Sequence, residues 1–425
     1  MNKVELLSPA GNLEKLKIAF AYGADAVYGG VSHFSLRIRS GKEFTFESFK
    51  EGIDYAHSMG KKVYATINGF PFNSQIELLK KHIVDMAALE PDALIVAAPG
   101  VVRLCRELAP QIPIHLSTQA NVMNYLDAQV YYDMGVRRII AAREISLKDV
   151  MEIKKHLPEM EIEIFVHGSM CFAYSGRCLV SAVQMGRVPN RGSCANDCRF
   201  EYTLYAANED HGTMFRLEEE PGVGTYIFNA KDMNLASHVD EILKSGAVDS
   251  IKIEGRTKSP YYAAVTAYTY RMAIDDYYTN NFEAQKYQTE LATTKNRGFT
   301  DAYLIHRPFE RADSQNHDYA LSKGTFEVSG LVTEDGEHFM CKYKTYPNEE
   351  IEIFAPLNAT IEEIDNEIGK IYFKDGKYFI NFKKILTETN KELESVHSGN
   401  TNKIKLPGKL PYLTMFRVEN DMIIE

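Results

Sequence analysis

Four of the six cysteines in this 425-residue chain lie close together, at Cys171, Cys178, Cys194 and Cys198. Their spacing is C-x6-C-x15-C-x3-C. Four cysteine thiolates can hold a 4Fe–4S cluster or a zinc ion. Structural zinc sites usually contain two C-x2–4-C pairs, whereas the first pair here is separated by six residues. The spacing therefore favours an iron–sulfur cluster, with zinc as the alternative.

Two further points concern the other two cysteines and the cellular location, which sets the redox state of the thiols. Cys105 falls in a helical pattern and Cys341 in a strand pattern, so both are predicted to be buried and inert. The N-terminus shows no signal-peptide pattern, and no apolar run approaches the length of a membrane span. We therefore expect a cytoplasmic protein with reduced thiols and no membrane partner.

The elements that must position the cysteines follow a repeating pattern through residues 1–281. Eight short apolar runs rich in β-formers alternate with eight helical patterns, as in parallel βαβ units. The strands read as nearly continuous apolar segments, which indicates burial on both faces. Eight repeats predict a (β/α)8 TIM-like barrel, and the absence of a dinucleotide fingerprint argues against a doubly wound sheet. The predicted helices span residues 13–22, 46–59, 74–89, 100–108, 125–134, 147–156, 233–245 and 261–278.

One repeat carries a long insertion, residues 170–229, between the seventh strand and the next predicted helix. It contains all four clustered cysteines and an alternating stretch that predicts a β-hairpin with its turn at residues 210–212. Loops of this length inside a compact domain are usually functional. Because the insertion follows a barrel strand, the cysteines are expected at the C-terminal face, where barrel active sites lie.

The rest of the chain has a different character. Residues 282–319 are polar and rich in turn formers, and are predicted to be a linker. Residues 320–425 alternate polar and apolar positions without helical patterns. Together with turns of the D-G type, this predicts a small all-β barrel domain of about five to seven strands.

Polar residues follow the predicted barrel strands at the end where catalytic groups of this fold are found. Two arginines at such positions could bind a carboxylate or phosphate through paired hydrogen bonds. Alternatively, the pairs Arg143–Glu144 and Glu254–Arg256 could be ion pairs that brace the rim. The candidate catalytic residues are Asn68, Gln119, Arg143, His167, Glu254 and Arg256, and the strand ends also offer Tyr28, Asn121 and Glu144 for substrate binding.

Charge is unevenly distributed. The formal net charge of −10 does not suggest a protein that binds nucleic acid over its whole surface. The cysteine segment, however, contains four arginines and a single acid, Asp197, and such a patch could meet an anionic partner. These arginines are Arg177, Arg187, Arg191 and Arg199. Hydrolase motifs of the H-E-x-x-H and G-x-S-x-G types are absent.

The segment EIFVHGSMCFAYSGRCLVS, residues 163–181, matches a known signature, E-x-F-x2-G-[SA]-[LIVM]-C-x4-G-x-C-x-[LIVM]-S, at every fixed position. The segments ELLSPAGN, ADAVYGG, RGSCANDCR, IKIEGR and NRGFT also fit the same family. The chain therefore resembles peptidase family U32 over nearly its whole length. Its RGSCANDCR segment and C-terminal β domain look most like the prephenate-dependent tRNA uridine 5-hydroxylase subgroup.

This resemblance implies a function. Members were first described as proteases, but better-understood relatives hydroxylate tRNA wobble uridine, ribosomal RNA or ubiquinone precursors without O2, and several carry a 4Fe–4S cluster. The implied activity is 5-hydroxyuridine formation in the tRNA anticodon loop with prephenate as co-substrate. The four clustered cysteines would hold the cluster, and Arg143 and Arg256 would clamp the dicarboxylate. Arg177, Arg191, Arg199 and the C-terminal domain would contact the RNA backbone. A peptidase and a quinone-precursor hydroxylase remain the alternatives.

Overall fold

The computed structural model describes residues 3–31, 34–36, 43–171, 173–200, 202–203, 205–208, 212–216, 229–306, 311–316, 322 and 324–419. Eight parallel strands close into a barrel, because β11 pairs with both β1 and β7. The predicted TIM-like barrel is confirmed. Its strands are β1 (Glu5–Pro9), β2 (Ala26–Gly29), β3 (Lys62–Ile67), β4 (Ala93–Val96), β5 (Ile114–Leu116), β6 (Arg138–Ile140), β7 (Glu161–Ser169) and β11 (Ser250–Ile253).

The barrel helices begin and end close to the predicted positions. Thr45 forms a capping box with Ser48, and Ser146 and Ser259 cap the helices that follow them. Among the described residues, no helix is long and apolar enough to cross a membrane. The helices are α1 (Leu13–Ala21), α2 (Phe46–Ser58), α3 (Ile76–Ala87), α4 (Pro99–Leu108), α5 (Tyr125–Asp133), α6 (Leu147–His156) and α9 (Pro260–Tyr278).

The helix predicted over residues 233–245 is wrong at its start. Asp232–Asn234 forms strand β10, which pairs antiparallel with the end of β7, and β10 in turn pairs with β12 (Phe299–Thr300). The nine-residue β7 extends beyond its barrel neighbours, and its backbone groups there need partners. After a short 3-10 turn, the helix α8 covers only Val239–Lys244.

The cysteine insertion contains more regular structure than its sequence indicates. A short helix, α7 (Val180–Met185), lies between Cys178 and Cys194 and ends at Gly186, whose φ is +64°. The expected hairpin is present as β8 (Tyr205–Asn208) and β9 (Thr213–Arg216). Its predicted turn at residues 210–212 lies mostly outside the described residues.

The chain separates into two compact units, one of residues 1–20, 24–289 and 296–322, the other of residues 21–23, 290–295 and 323–425. The segment predicted as a linker contains α10 (Ala284–Ala292) and the short α11 (Arg311–Ser314). Tyr287 and Leu291 are fully buried and lie four positions apart in α10. Two apolar positions among many polar ones gave too weak a helical pattern to reveal this element.

The second unit is built on an antiparallel sheet of eight strands around an aliphatic and aromatic core. The small all-β prediction is confirmed, although the strand count exceeds the expected five to seven. Among the described strands the two ends of this sheet do not pair, so it forms a half-barrel. Its strands are β13 (Phe326–Val332), β14 (His338–Cys341), β15 (Ile351–Phe354), β16 (Ile364–Asp365), β17 (Gly369–Lys374), β18 (Lys377–Phe382), β21 (Ile404–Lys405) and β22 (Met415–Glu419), with β19 (Ile385–Leu386) and β20 (Glu392–Leu393) as a separate pair.

Candidate active site

A cavity opens at the carboxyl ends of the barrel strands and is covered in part by the cysteine insertion. Parallel strands of a closed barrel all end at this face, so side chains far apart in sequence meet here. Thr66, Ile95, Ile140 and Phe165 line the cavity from the strands themselves. Seven of the sequence-predicted residues also line it: Tyr28, Asn68, Gln119, Arg143, Arg199, Glu254 and Arg256.

The four clustered cysteines line this same cavity. None of the six cysteines forms a disulfide, and Cys105 and Cys341 are buried elsewhere, as predicted. Burial raises the pKa of the Cys178 and Cys198 thiols, and the other clustered cysteines add to the increase. The backbone N–H of Val180 donates a hydrogen bond of 3.3 Å to Cys178 Sγ. Four thiols therefore line one cavity.

The chemistry of this donor set suits a metal cluster. Four cysteine thiols on one cavity are the ligands that a 4Fe–4S cluster uses, and they would also suit zinc. In the part of the chain that the structure describes, no three His, Cys, Asp or Glu side chains are already gathered around a point that could hold a single metal ion. The cluster and its ligand set remain predictions.

The acidic and basic residues at the rim pair differently from the two arrangements considered from the sequence. Arg143 Nη2 donates to Glu254 Oε2 at 3.1 Å across the cavity, and the guanidinium lies 4.1 Å from the centre of the Phe165 ring. Glu144 instead accepts a hydrogen bond of 2.7 Å from the backbone N–H of Ser175. The expected Arg143–Glu144 pairing is therefore replaced by a pairing between two strand ends.

Arg256 is buried and held by hydroxyl groups. Its Nη1 donates to Ser35 Oγ at 2.7 Å and to Thr66 Oγ1 at 3.0 Å. The guanidinium carbon also lies 5.9 Å from the centre of the Tyr28 ring. These two hydroxyl acceptors orient the guanidinium and carry no charge themselves.

Lys252 is a cavity residue that the sequence analysis missed. It lies on β11, is 3% exposed, and its Nζ is 2.8 Å from Glu163 Oε1 and 4.2 Å from the centre of the Tyr28 ring. Burial lowers the Lys252 pKa, while the Glu163 carboxylate acts in the opposite direction. A lysine inside the apolar strand SIKI was the available signal, since charged side chains are rarely buried without a role or a partner.

Two amides form the wall between β3 and β5. Asn68 Nδ2 donates to Gln119 Oε1 at 3.3 Å, and Ser117 Oγ donates to the same oxygen at 3.2 Å. Asn68 Oδ1 accepts from the backbone N–H of Leu36 at 3.1 Å. Both amides are therefore held in defined orientations beside the cavity.

His167 is not among the residues that line the cavity. Its side chain is 2% exposed and packs against the rings of Tyr262, Tyr270 and Phe299. Tyr270 Oη lies 3.4 Å from His167 Nδ1. Burial lowers the pKa of this histidine to about 3, so the ring is neutral near pH 7. Where β7 pairs with β10, the His167 side chain lies in a packed layer of aromatic rings and not in the cavity. This placement argues against the expected catalytic role.

The remaining candidates lie around the cavity without lining it. Asn121 has a left-handed backbone (φ +60°) and its Nδ2 donates to the carbonyl of Tyr174 at 3.4 Å. Arg177 Nε donates to the carbonyl of Gln119 at 2.9 Å, and the Arg191 guanidinium lies over the Phe72 ring. Glu144 supports the cysteine segment through Ser175, as described above.

Comparison with known proteins agrees with the signature in the cysteine segment. Residues 11–314 match the family model described as Peptidase family U32. The chain belongs to this family. The matched U32 region includes seven of the eight barrel strands and the whole cysteine insertion, and it ends before the β half-barrel.

Several U32 relatives are similar over most of their length. The chain is 65% identical over 419 residues, 99% of each chain, to tRNA hydroxylation protein P of Helicobacter pylori. It is 39% identical to tRNA hydroxylation protein P of Escherichia coli, covering 87% of this chain and 91% of the relative. A protein named collagenase from Porphyromonas gingivalis is 28% identical, covering 88% of this chain and 86% of the relative.

Proposed function

We propose that this protein is a tRNA-modifying enzyme that hydroxylates the wobble uridine at C5 without O2, using prephenate and a 4Fe–4S cluster. The observation that carries the proposal is one cavity lined by both the four clustered thiols and the cationic side chains of the strand ends. The names of the H. pylori and E. coli relatives support tRNA as the substrate class. A tRNA substrate also agrees with the expected cytoplasmic location.

The cavity suits a small dicarboxylate co-substrate. Among the residues that the structure describes, Arg143, Arg199, Lys252 and Arg256 line it as cations and Glu254 lines it as a carboxylate. Buried cations that keep hydrogen-bonding capacity bind carboxylates strongly, because few water molecules compete for them. Arg256 is buried beside the cavity and donates to the hydroxyls of Ser35 and Thr66, so we assign it a contact with one carboxylate of prephenate.

Cys171, Cys178, Cys194 and Cys198, which line the cavity together with the strand ends, would hold the cluster. A bound cluster would supply the electron-transfer chemistry that an O2-independent hydroxylation requires. The protein's own residues have separate tasks: the cations bind the co-substrate, and the amides of Asn68 and Gln119 provide hydrogen bonds for a polar base edge. Arg143 is oriented by Glu254 and Phe165, so it contributes charge at a defined position.

A nucleotide must leave its stack to reach the floor of the cavity. Bases in an anticodon loop are single-stranded and can turn outward at low cost. The proposed target is therefore a loop nucleotide, in agreement with a wobble uridine.

The decisive test is the modification itself. A strain lacking the gene should lose 5-hydroxyuridine at the wobble position, as measured by mass spectrometry of nucleosides from purified tRNA, and the wild-type gene should restore it. Unchanged 5-hydroxyuridine in the deletion strain would rule the function out. Gelatin hydrolysis by the anaerobically purified protein, with no change in tRNA, would point instead to the peptidase that the family name suggests.

The cluster is tested separately by cysteine replacement. Anaerobically purified protein should contain about four iron and four sulfide per chain. Each of Cys171→Ser, Cys178→Ser, Cys194→Ser and Cys198→Ser should lose most of both. The matched controls Cys105→Ser and Cys341→Ser lie in buried positions outside the cavity and should retain them. Retention of iron and sulfide in all four cavity variants would contradict the ligand assignment.

A further inference from the structure

Two aromatic side chains are exposed at the rim of the cavity, where a soluble domain would ordinarily place polar groups. Phe72 is 57% exposed and Tyr174 is 51% exposed. Phe72 follows β3, and Tyr174 lies in the cysteine insertion next to Ser175, which lines the cavity. Exposed rings beside a cavity are a recurring feature of surfaces that bind single-stranded nucleic acid.

The Phe72 ring is paired with an arginine from another segment. The guanidinium carbon of Arg191 lies 4.3 Å from the ring centre. The two segments are joined beside this pair, because the backbone N–H of Phe70 donates to the carbonyl of Asn190 at 3.3 Å. Ring and cation therefore form a fixed unit on the side of the rim above β3.

The Tyr174 ring has a similar setting near β5. Its carbonyl accepts the Asn121 side-chain hydrogen bond, and its hydroxyl contacts Met123 Sδ. The nearby Arg177 is exposed and is tied to the carbonyl of Gln119. A second ring with an adjacent cation thus lies on another part of the same rim.

Carboxylates near Tyr174 are already engaged within the protein. Glu144 accepts the backbone N–H of Ser175, and Asp127 accepts from Asn124 Nδ2 at 2.8 Å. Arg191 places an exposed positive charge next to Phe72. Near Tyr174 the exposed Arg177 lies with the exposed carboxylate of Asp127, while Glu144 is directed at Ser175.

We infer that Phe72 and Tyr174 are stacking platforms for the nucleotides that flank the target base, with Arg191 and Arg177 contacting the adjoining phosphates. The inference rests on the proposed function and adds how the RNA loop is held. Flat rings beside guanidinium groups match unstacked bases joined by phosphates. Because any base can stack, such platforms position the loop without reading its sequence.

The test measures RNA binding and modification independently. Phe72→Leu and Tyr174→Leu keep an apolar side chain but remove the ring, and each should weaken binding of an anticodon stem-loop RNA about tenfold or more. Binding is followed by fluorescence anisotropy with the full-length protein, and 5-hydroxyuridine is measured in a deletion strain that carries each variant. Tyr174→Phe and Phe72→Tyr retain the ring and should restore both readouts.

Tyr278→Leu is the matched control. Tyr278 is 43% exposed and its hydroxyl accepts the backbone N–H of Val4, just before β1, at the opposite end of the barrel. This variant should bind RNA as the wild type does. If the wild type, Phe72→Leu and Tyr174→Leu bind the RNA with equal affinity, the two rings are not stacking platforms. This conclusion would hold even if the wild type restores 5-hydroxyuridine.

The two proposals fail in distinguishable ways. A wild-type protein that binds the RNA through both rings without restoring 5-hydroxyuridine would support the platforms and refute the proposed reaction. A wild-type protein that does not bind the stem-loop RNA would overturn the platforms directly. Loss of gelatin binding in the ring variants, with RNA binding absent, would assign the surface to a peptide and also reject the inference.

Discussion

At the scale of single residues, the cavity holds its charged side chains in place before any substrate arrives. Arg143 is paired with Glu254, Lys252 with Glu163, and Arg256 is held by two hydroxyls. Such preorganisation reduces the reorganisation needed when an anion binds. Arg256, which is proposed to contact a carboxylate of prephenate, is predicted to contribute to co-substrate affinity.

Arg256→Met should raise the KM for prephenate about 10- to 100-fold, because a charge-assisted hydrogen bond is lost. The measurement is the rate of 5-hydroxyuridine formation against prephenate concentration, with the melting temperature recorded in parallel. Arg256→Lys should be intermediate, since it keeps the charge but not the planar guanidinium. The control Arg103→Met removes an exposed arginine on α4 that pairs with Glu107. A lower melting temperature with unchanged KM would show that Arg256 only braces the rim.

The buried His167 should make stability dependent on pH. Its folded-state pKa is lowered to about 3 by burial, whereas an unfolded histidine titrates near pH 6.5. Between these two pH values His167 is protonated in the unfolded chain and neutral in the folded protein. The free energy of unfolding should therefore fall with decreasing pH below about 6.5, by about 1.4 kcal/mol per pH unit from this residue.

His167→Asn should remove the contribution of this one titrating group to the pH dependence of the free energy of unfolding. Chemical denaturation between about pH 5 and 6.5 measures that dependence. Asparagine can still offer a polar atom to Tyr270. The control His397→Asn replaces an exposed histidine whose Nδ1 accepts the backbone N–H of Gly399 at 3.1 Å. An identical pH slope in His167→Asn and the wild type would show that folding does not lower the pKa of His167.

At the scale of elements, the junction between β7 and β11 positions both the cysteine insertion and Glu254. Glu254 donates its backbone N–H to the carbonyl of His167 at 2.8 Å. Gly168, the next residue, has φ +110°, and a Cβ there would lie 2.4 Å from the carbonyl oxygen of Glu254. Only glycine combines this backbone conformation with so close an approach. This is the physical reason for a glycine at that position of the family signature.

Gly168→Ala should therefore lower the free energy of unfolding by about 2 kcal/mol or more and reduce activity, because Glu254 must move away from Arg143. Denaturant titration and the tRNA assay measure the two effects. Gly100→Ala is the matched control, since Gly100 lies in α4 with no atom within 4 Å of an added Cβ. The control should be neutral or slightly stabilising. Equal stability of both variants would contradict the steric argument.

At the scale of the whole molecule, an acidic chain carries a small basic rim. The net charge is −10, yet Arg177, Arg187 and Arg191 are exposed in the cysteine insertion. Long-range attraction of RNA is therefore weak, and binding should depend on a few local contacts.

The salt dependence of RNA binding should accordingly be shallow. Three phosphate contacts to a single-stranded loop give a slope of log K against log salt concentration of about −2. Arg191→Gln should reduce its magnitude by about 0.7. Anisotropy titrations of the anticodon stem-loop over a range of KCl concentrations give both values. A slope steeper than about −5 would mean that many further cations, such as those of the β half-barrel, contact the RNA.

The sequence by itself determined the features that depend on local pattern. The alternation of apolar strands and helices identified the barrel, and the cysteine spacing predicted a metal cluster in the insertion. Both signals are carried by neighbouring residues, because periodicity and ligand spacing are local properties. Hydrophobic periodicity did not reveal β10, which is short, or α10, in which few positions are apolar. Contacts with distant segments decide the conformation at both places.

Only the tertiary structure decided which side chains meet. Arg143 and Glu254 are 111 positions apart, and Arg256 and Ser35 are 221 positions apart. Barrel closure brings these pairs together, and the register of β7, β11 and β1 sets which atoms are in reach. The same register directed Lys252 into the cavity and His167 away from it. Alternation along a strand predicts that successive side chains point to opposite faces. Which of the two faces lines the cavity is set by the neighbouring strands.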